Sequence, residues 1–108
     1  MIEFLFWEGC PSHERALADL IEELDAQGIA RDDLRVTEIN TAADTERERF
    51  VGSPTIRADG VDLADPGDEP FGLNCRIYYH RDGRPSPLPD REDLRQLLAG
   101  YARKHQGE

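Results

Sequence analysis

The sequence predicts an α/β fold in which a central mixed sheet carries helices on both faces. Strand and helix patterns alternate over the first half of the chain, an order that is typical of α/β domains. Two strand patterns then follow each other across the turn pair Asp59 and Gly60, which indicates an antiparallel hairpin. An amphipathic helix pattern ends the chain after Asp90. A crossover followed by a hairpin predicts strands of both directions in one sheet.

The first strand and the first helix have the clearest patterns. Residues 2–7 are rich in aromatic and branched side chains and too few for a typical helix, so we expect a strand that is largely buried on both faces. A helix then begins near Pro11, because proline is favoured at the first helical position. Its apolar residues recur at helical spacing until Gly28 supplies a stop: Ala16, Leu17, Leu20, Ile21 and Leu24.

The second strand and the second helix are predicted from shorter patterns. Leu34, Val36 and Ile39 indicate a strand. Because a helix separates this strand from the first, we expect the two to be parallel and joined by a right-handed crossover. Residues 41–50 are polar and carry charges of both signs, which predicts a short and mostly solvated helix.

The second half of the chain contains a hairpin, a loop and the last helix. Residues 54–58 and 61–63 predict the two strands of the hairpin. Residues 64–71 are rich in Asp, Glu, Pro and Gly, so we expect an exposed and mobile loop. Residues 76–80 suit a further strand, and Asp90 caps a helix whose buried stripe is Leu94, Leu97, Leu98 and Tyr101.

Length and charge restrict the classes of function. A chain of 108 residues predicts one domain, residues 1–108. The formal net charge of -10 repels nucleic-acid phosphates and anionic lipids, so neither nucleic acid nor membrane is an expected partner. The first residues lack the basic region of a signal peptide, and no apolar run approaches the roughly 20 residues of a membrane span. We therefore expect a cytoplasmic protein whose two cysteines are reduced at rest.

Cys10 is the first candidate for chemistry, because it directly precedes the predicted first helix. Free backbone N–H groups and the positive end of the helix dipole favour a thiolate there. A cysteine in such a place is a candidate nucleophile, and a small buried apolar side chain is the alternative. His13 lies about one helical turn further, where it would stabilise a thiolate or relay a proton. A solvated histidine in the first turn fits the same position equally well.

Two segments resemble the thioredoxin and glutaredoxin superfamily. They are residues 4–13, Phe-Leu-Phe-Trp-Glu-Gly-Cys-Pro-Ser-His, and residues 52–56, Gly-Ser-Pro-Thr-Ile. The resemblance covers nearly the whole chain. Within the superfamily the sequence is most similar to small bacterial thioredoxin-like proteins with a Gly-Cys-Pro opening and a later Gly-Leu-X-Cys-Arg segment, here residues 72–76.

The resemblance implies a thioredoxin-like fold and assigns roles to several residues. Cys10 matches the nucleophilic first cysteine of the superfamily, and Pro54 matches its cis-proline. The backbone beside that proline would receive a thiol or disulfide substrate or glutathione, with Pro11, Ser53 and Thr55 beside it. We therefore predict that the Ser53–Pro54 peptide is cis and lies near Cys10.

The sequence departs from the two-cysteine motif of the superfamily at His13. This histidine stands where that motif has its second cysteine, so the ordinary exchange within Cys-X-X-Cys cannot occur. Cys75 is the other cysteine of the chain, and it would resolve a mixed disulfide if its Cα lay within roughly 7 Å of that of Cys10. A structural role for Cys75 beside Arg76 is the alternative.

The sequence therefore predicts a thiol-disulfide redox protein of monothiol or Cys10/Cys75 type. Glutathione is a candidate co-substrate, and no bound cofactor or metal is expected. The alternative is a non-enzymatic module that binds a protein partner or a soft metal such as Cu(I), Zn(II) or Hg(II) through two thiolates, with His13 as a third ligand. Four arginines would pair with an acidic substrate or, more simply, with surface carboxylates: Arg47, Arg49, Arg57 and Arg76.

Overall fold

The computed structural model describes residues 1–105 and shows a four-stranded mixed sheet and three α-helices within them. The strands are β1 (Ile2–Phe6), β2 (Leu34–Glu38), β3 (Thr55–Ala58) and β4 (Val61–Asp62). The helices are α1 (His13–Ala26), α2 (Ala42–Glu48) and α3 (Arg91–Lys104). Across residues 1–105, no helix combines the length and the apolar character that crossing a bilayer requires.

The sheet has the spatial order β2-β1-β3-β4, with β1 in the interior. Strand β1 pairs in parallel with β2 and antiparallel with β3, so Phe4 lies between Val36 and Ile56. Strands β3 and β4 form an antiparallel hairpin across Asp59 and Gly60. The parallel first pair, the hairpin and the mixed direction of the sheet are therefore confirmed.

The core lies on both faces of β1, because successive side chains of a strand point to opposite faces. Ile2 and Phe4 belong to a cluster that contains buried residues of both α1 and α3, such as Leu20 and Leu98. Leu5 points the other way and packs with Ile39 and Phe50, the latter just beyond α2. Strand β1 is thus covered on both sides, as its continuous apolar pattern predicts.

Charged side chains also join α1 to α3. The Arg91 guanidinium lies 2.7 Å from the Glu23 carboxylate and 3.0 Å from that of Asp19, and both acids are buried. Arg95 approaches the other oxygen of Glu23 at 3.3 Å. Because the acids sit at the helix interface, these ion pairs fix how the two helices pack on the sheet.

Several elements differ from the sequence prediction in their bounds. Helix α1 begins at His13 and not at Pro11, because the chain makes a turn through residues 11–12 first. The predicted strand at 76–80 is reduced to β5 (Tyr78–Tyr79), which pairs with β6 (Pro85–Ser86) in a separate two-stranded sheet. The first strand ends at Phe6, one residue early. Residues 64–71 form a loop without regular structure, as predicted.

Candidate functional site

Cys10 lies in the tight turn that connects β1 to α1. Its backbone N–H donates to the carbonyl of Trp7 at 3.0 Å, which reverses the chain direction directly after the strand. The residue is fully buried, with 0% of its surface exposed. The thiol therefore lies in the turn just before α1, and it is covered.

Polar groups surround the Cys10 thiol. Its Sγ lies 3.1 Å from the Ser12 hydroxyl and 3.4 Å from the carbonyl oxygen of Ser53, which accepts from the thiol. Burial raises the pKa of Cys10, but hydrogen bonds from Ser12 and from its neighbours Cys75 and Ser53 together hold this pKa below its ordinary value. The Ser12 side chain makes no capping bond to α1, so its hydroxyl is available to hydrogen-bond to the Cys10 sulfur.

Ser53 connects Cys10 to the segment of residues 72–76, which we call the Cys75 segment. The Ser53–Pro54 peptide is cis, as predicted. The Ser53 N–H donates to the carbonyl of Asn74 at 2.8 Å, and the Ser53 carbonyl accepts from the Arg76 N–H at 2.9 Å. These two bonds form a parallel β-bridge between Ser53 and Cys75. The backbone groups beside the cis-proline are thus already paired within the chain.

Cys75 lies beside Cys10, because Cys75 pairs with Ser53 and the Ser53 carbonyl accepts from the Cys10 thiol. The hydrogen bond with Cys10 is the first cause that raises the pKa of Cys75, followed by burial and by the negative charge of a Cys10 thiolate. The same contact lowers the pKa of Cys10, and both residues are free thiols in this structure. Cys75 is exposed, whereas Cys10 is buried. The structure therefore brings the two predicted cysteines together, although 65 positions separate them in the sequence.

Arg76 anchors the Cys75 segment from its other end. The Arg76 side chain is buried, forms an ion pair with Asp62 at 3.0 Å and donates to the Ala64 carbonyl at 2.8 Å. Its guanidinium lies over the ring of Tyr78, 4.9 Å from the centroid, and the Tyr78 hydroxyl donates to the Pro54 carbonyl. Burial raises the pKa of Tyr78, so this hydroxyl keeps its proton. Tyr78 and Asp62 were not expected at the site from the sequence.

The close approach of the Cys75 segment explains Gly52. This glycine has φ +148, and a Cβ there would lie 2.6 Å from Asn74 Oδ1 and 3.0 Å from the Cβ of Arg76. A side chain would therefore push the Cys75 segment away from Ser53.

The His13 side chain is held by backbone and ring contacts. Its Nδ1 lies 2.7 Å from the Cys10 carbonyl and must carry a proton, because a carbonyl oxygen only accepts. Its ring stacks on Phe6 with 4.7 Å between the centroids. His13 is thus close to Cys10 as predicted, with its Nδ1 bonded to the main chain of Cys10.

The predicted substrate-binding residues lie around the cysteines in different environments. Pro11 is exposed directly after Cys10, and Ser53 and Pro54 are buried. The buried Thr55 hydroxyl donates to the Gly52 carbonyl at 2.7 Å, so it holds the backbone ahead of β3. Pro11 is therefore the one of these four that faces solvent.

The predicted cationic residues are mostly engaged within the chain. Arg47 forms ion pairs with Asp44 and Glu48. Arg57 donates to the backbone carbonyls of residues 48 and 49, and Arg76 is bound as described above. Ion pairs and carbonyl contacts therefore use three of the four arginines that were candidates for an acidic substrate.

No group of three or more His, Cys, Asp or Glu side chains within residues 1–105 is placed to hold a metal ion. His80 is bonded to the Leu88 carbonyl and His105 to Asp59. A soft metal would therefore meet the two sulfurs of Cys10 and Cys75, without the third ligand that the sequence offered in His13.

A groove of about 500 Å³ lies beside Cys75. Its walls include two exposed apolar side chains, Ile77 and Tyr79, which are 61% and 70% exposed. Two carboxylates from the 64–71 loop, Asp65 and Glu69, also line it. We call this space the Cys75 groove.

Comparison with known proteins adds no relative, since no family model, no curated protein and no solved structure matches the chain.

Proposed function

We propose that the protein is a thioredoxin-like thiol-disulfide redox protein in which Cys10 and Cys75 form the exchanging pair. The observation that carries the proposal is the placement of both cysteines on Ser53: Cys75 forms a β-bridge with it, and the Cys10 thiol donates to its carbonyl. The two thiols also shift each other's pKa, lowering that of Cys10 and raising that of Cys75. A thiol pair of this kind provides one sulfur that is ready as a thiolate and a second that is ready to share a disulfide.

Three features support a thioredoxin-like reading of the fold. Strand β1 leads directly to a cysteine and then to α1. The sheet order β2-β1-β3-β4 combines one parallel pair with two antiparallel pairs. A cis-proline precedes β3 at the end of the sheet where Cys10 lies. The first and the third of these features are ones that the sequence resemblance implies.

The reaction that this pair supports is a two-step exchange. A protein thiolate attacks a disulfide of the substrate, forms a mixed disulfide and expels one substrate thiolate. The second protein thiolate then attacks the protein sulfur of the mixed disulfide and expels the other substrate thiolate. The protein loses two electrons and two protons, and the substrate disulfide becomes two thiols. Because Cys75 is in place, the second step needs no external glutathione.

A second candidate function is the binding of a soft metal by the same two sulfurs. Cu(I) prefers thiolate ligands. The neighbouring thiols of Cys10 and Cys75 would supply two such ligands from one site. In this case the Cys10→Ser and Cys75→Ser variants would each lose tight Cu(I) binding, and the wild type would show no exchange with disulfides.

The test is to oxidise the reduced protein with glutathione disulfide and to identify the product by intact mass and peptide mapping. We expect an intramolecular Cys10–Cys75 disulfide in the wild type and a stable glutathione adduct on Cys75 in the Cys10→Ser variant, whose remaining cysteine is exposed. Accumulation of a doubly glutathionylated wild type, with no internal disulfide, would show that the two sulfurs do not act as a pair. Gln96→Ala, a change at an exposed position of α3, is the control and should give the wild-type product.

A further inference from the structure

The two cysteines differ in access to solvent. Cys10 is fully buried, and the backbone groups of Ser53, beside the cis-proline, are already bonded to Asn74 and Arg76. An incoming chain cannot pair with Ser53 while the Cys75 segment is in place. Cys75, in contrast, is exposed and borders the Cys75 groove. Access therefore points to Cys75 as the sulfur that an external molecule meets first.

The Cys75 groove has a distinct chemistry. The exposed side chains of Ile77 and Tyr79 offer an apolar wall, and Asp65 and Glu69 add two negative charges. Arg76 is the cation among the described residues that line it, and its charge is balanced by Asp62 at 3.0 Å. Glu8 and Glu38 add exposed negative charge at the end of β1 and β2 where Cys10 lies. The surroundings of the sulfur pair are therefore acidic and partly apolar.

We propose that the external partner exchanges with Cys75 and not with Cys10, and that the Cys75 groove selects a disulfide in a basic, partly apolar polypeptide segment over glutathione. This inference rests on the redox function proposed above and names its substrate class. Glutathione carries two carboxylates and one ammonium group, so an acidic groove disfavours it. A lysine or arginine beside the partner's cysteine would instead meet Asp65 and Glu69.

The exchange then runs in a fixed order. The Cys75 thiolate attacks one sulfur of the partner disulfide, forms the Cys75–partner S–S bond and expels the other partner sulfur as a thiolate. The buried Cys10 thiolate attacks Cys75 Sγ, forms the Cys10–Cys75 S–S bond and expels the second partner sulfur. Two protons pass through solvent from the protein thiols to the partner thiolates, so the protein is oxidised by two electrons and the partner is reduced.

Access assigns the first step, and the thiol acidities favour the second. The lowered pKa of Cys10 supplies a thiolate for the second step, where the target is the neighbouring Cys75 on the bridge to Ser53. The raised pKa of Cys75 reduces its thiolate fraction by more than its greater nucleophilicity offsets, so solvent exposure and not acidity makes Cys75 the first attacker. Because Cys10 is the first cause of that rise, a Cys10→Ser variant will retain or improve the first step.

The first arm of the experiment identifies the attacking sulfur. Reduced wild type, Cys10→Ser and Cys75→Ser are each mixed with a short peptide whose cysteine carries a 2-thiopyridyl disulfide, and release of thiopyridone is followed by absorbance. We expect Cys10→Ser to react at least as fast as the wild type and to stop as a Cys75–peptide adduct. Cys75→Ser is expected to react at least about tenfold more slowly, because its thiol is buried. Reaction of Cys75→Ser at the wild-type rate, with Cys10→Ser inert, would overturn the assignment while leaving the redox function intact.

Alkylation of the wild-type protein tests the same assignment without relying on variants that could misfold. Reduced wild type is treated briefly with iodoacetamide under native conditions, and the modified cysteine is identified by peptide mapping. We expect Cys75 to be alkylated first and Cys10 only after denaturation. Alkylation of Cys10 first would contradict the proposed order.

The second arm tests the charge preference with two peptides, in which lysines or glutamates flank the activated cysteine. We expect the lysine peptide to react about three to ten times faster at low salt, with the ratio falling towards one at high salt. Glu69→Lys should abolish the preference. The control is Asp32→Lys, which makes the same change in charge at an exposed position just before β2, and it should retain the preference. Equal rates for both peptides, or the same effect of both variants, would refute the groove as the selective element. Failure of the wild type to react with either peptide would refute the redox function itself.

Discussion

Removal of the Ser12 hydroxyl should raise the pKa of Cys10 without weakening the fold. The hydroxyl lies 3.1 Å from Sγ and stabilises the thiolate by donating to it. A hydrogen bond to a charged group contributes about 1.5–3 kcal/mol. Ser12→Ala should therefore raise the pKa of Cys10 back towards its ordinary value, by an amount that a thiolate titration resolves.

The same variant separates this role from helix capping. Loss of a capping serine typically costs about 1 kcal/mol, but the Ser12 side chain makes no capping bond to α1. We therefore expect the free energy of unfolding to change by less than about 0.5 kcal/mol at a pH low enough to keep the Cys10 thiol protonated.

The assay is the ultraviolet absorbance of the thiolate as a function of pH. It is measured in a Cys75→Ala background so that only Cys10 titrates, with urea unfolding run in parallel. The control in the same background is Ser86→Ala, which removes a serine hydroxyl that accepts from the Leu88 N–H, and it should leave the pKa of Cys10 unchanged. An unchanged pKa of Cys10 in Ser12→Ala, or a loss of stability of the size of a missing cap, would refute the reasoning.

Three further results are expected. Gly52→Ala should destabilise the fold by about 1–3 kcal/mol in urea unfolding and should make Cys10 react faster with iodoacetamide, because the new Cβ displaces Asn74; unchanged alkylation would contradict this. Asp59→Asn should lower the melting temperature at pH 7, and the difference should shrink as pH falls below about 4: the bond to His105 and the N-terminal ammonium lower the pKa of Asp59, so its stabilisation is complete above the unfolded-state pKa and is lost progressively as pH falls towards the lowered native pKa. A difference of the same size at pH 7 and at pH 2 would show another cause. Leu98→Ala should cost about 2–5 kcal/mol, because its side chain is fully buried between α3 and the sheet, and a smaller cost would mean that the core closes over the gap.

The elements around the sheet were predictable because their signals are local. The apolar run of β1 and the helical spacing of α1 and α3 each lie within about 15 consecutive residues, and burial then follows from the pattern itself. The hairpin between β3 and β4 was equally readable from Asp59 and Gly60.

The cysteine pair could not be read from the sequence in the same way. Its geometry depends on hydrogen bonds between Ser53 and two residues of the Cys75 segment, more than 20 positions away. The path of the chain between them is set by the buried contact of Arg76 with Asp62, which has no periodic signature. The orientation of the His13 side chain could not be predicted from the sequence either, because it depends on the stacking of its ring on Phe6.

The single bridge between Ser53 and Cys75 has a kinetic consequence. Both cysteines contact the same residue, Ser53, so the two are held side by side before a mixed disulfide forms and no loop closure is needed to bring them together. Flexible tethers give effective concentrations in the millimolar range, whereas pre-positioned groups far exceed this value. Resolution by Cys10 would therefore outcompete any free thiol in solution. A covalent complex with a partner should be short-lived in the wild type and isolable only when Cys10 is absent.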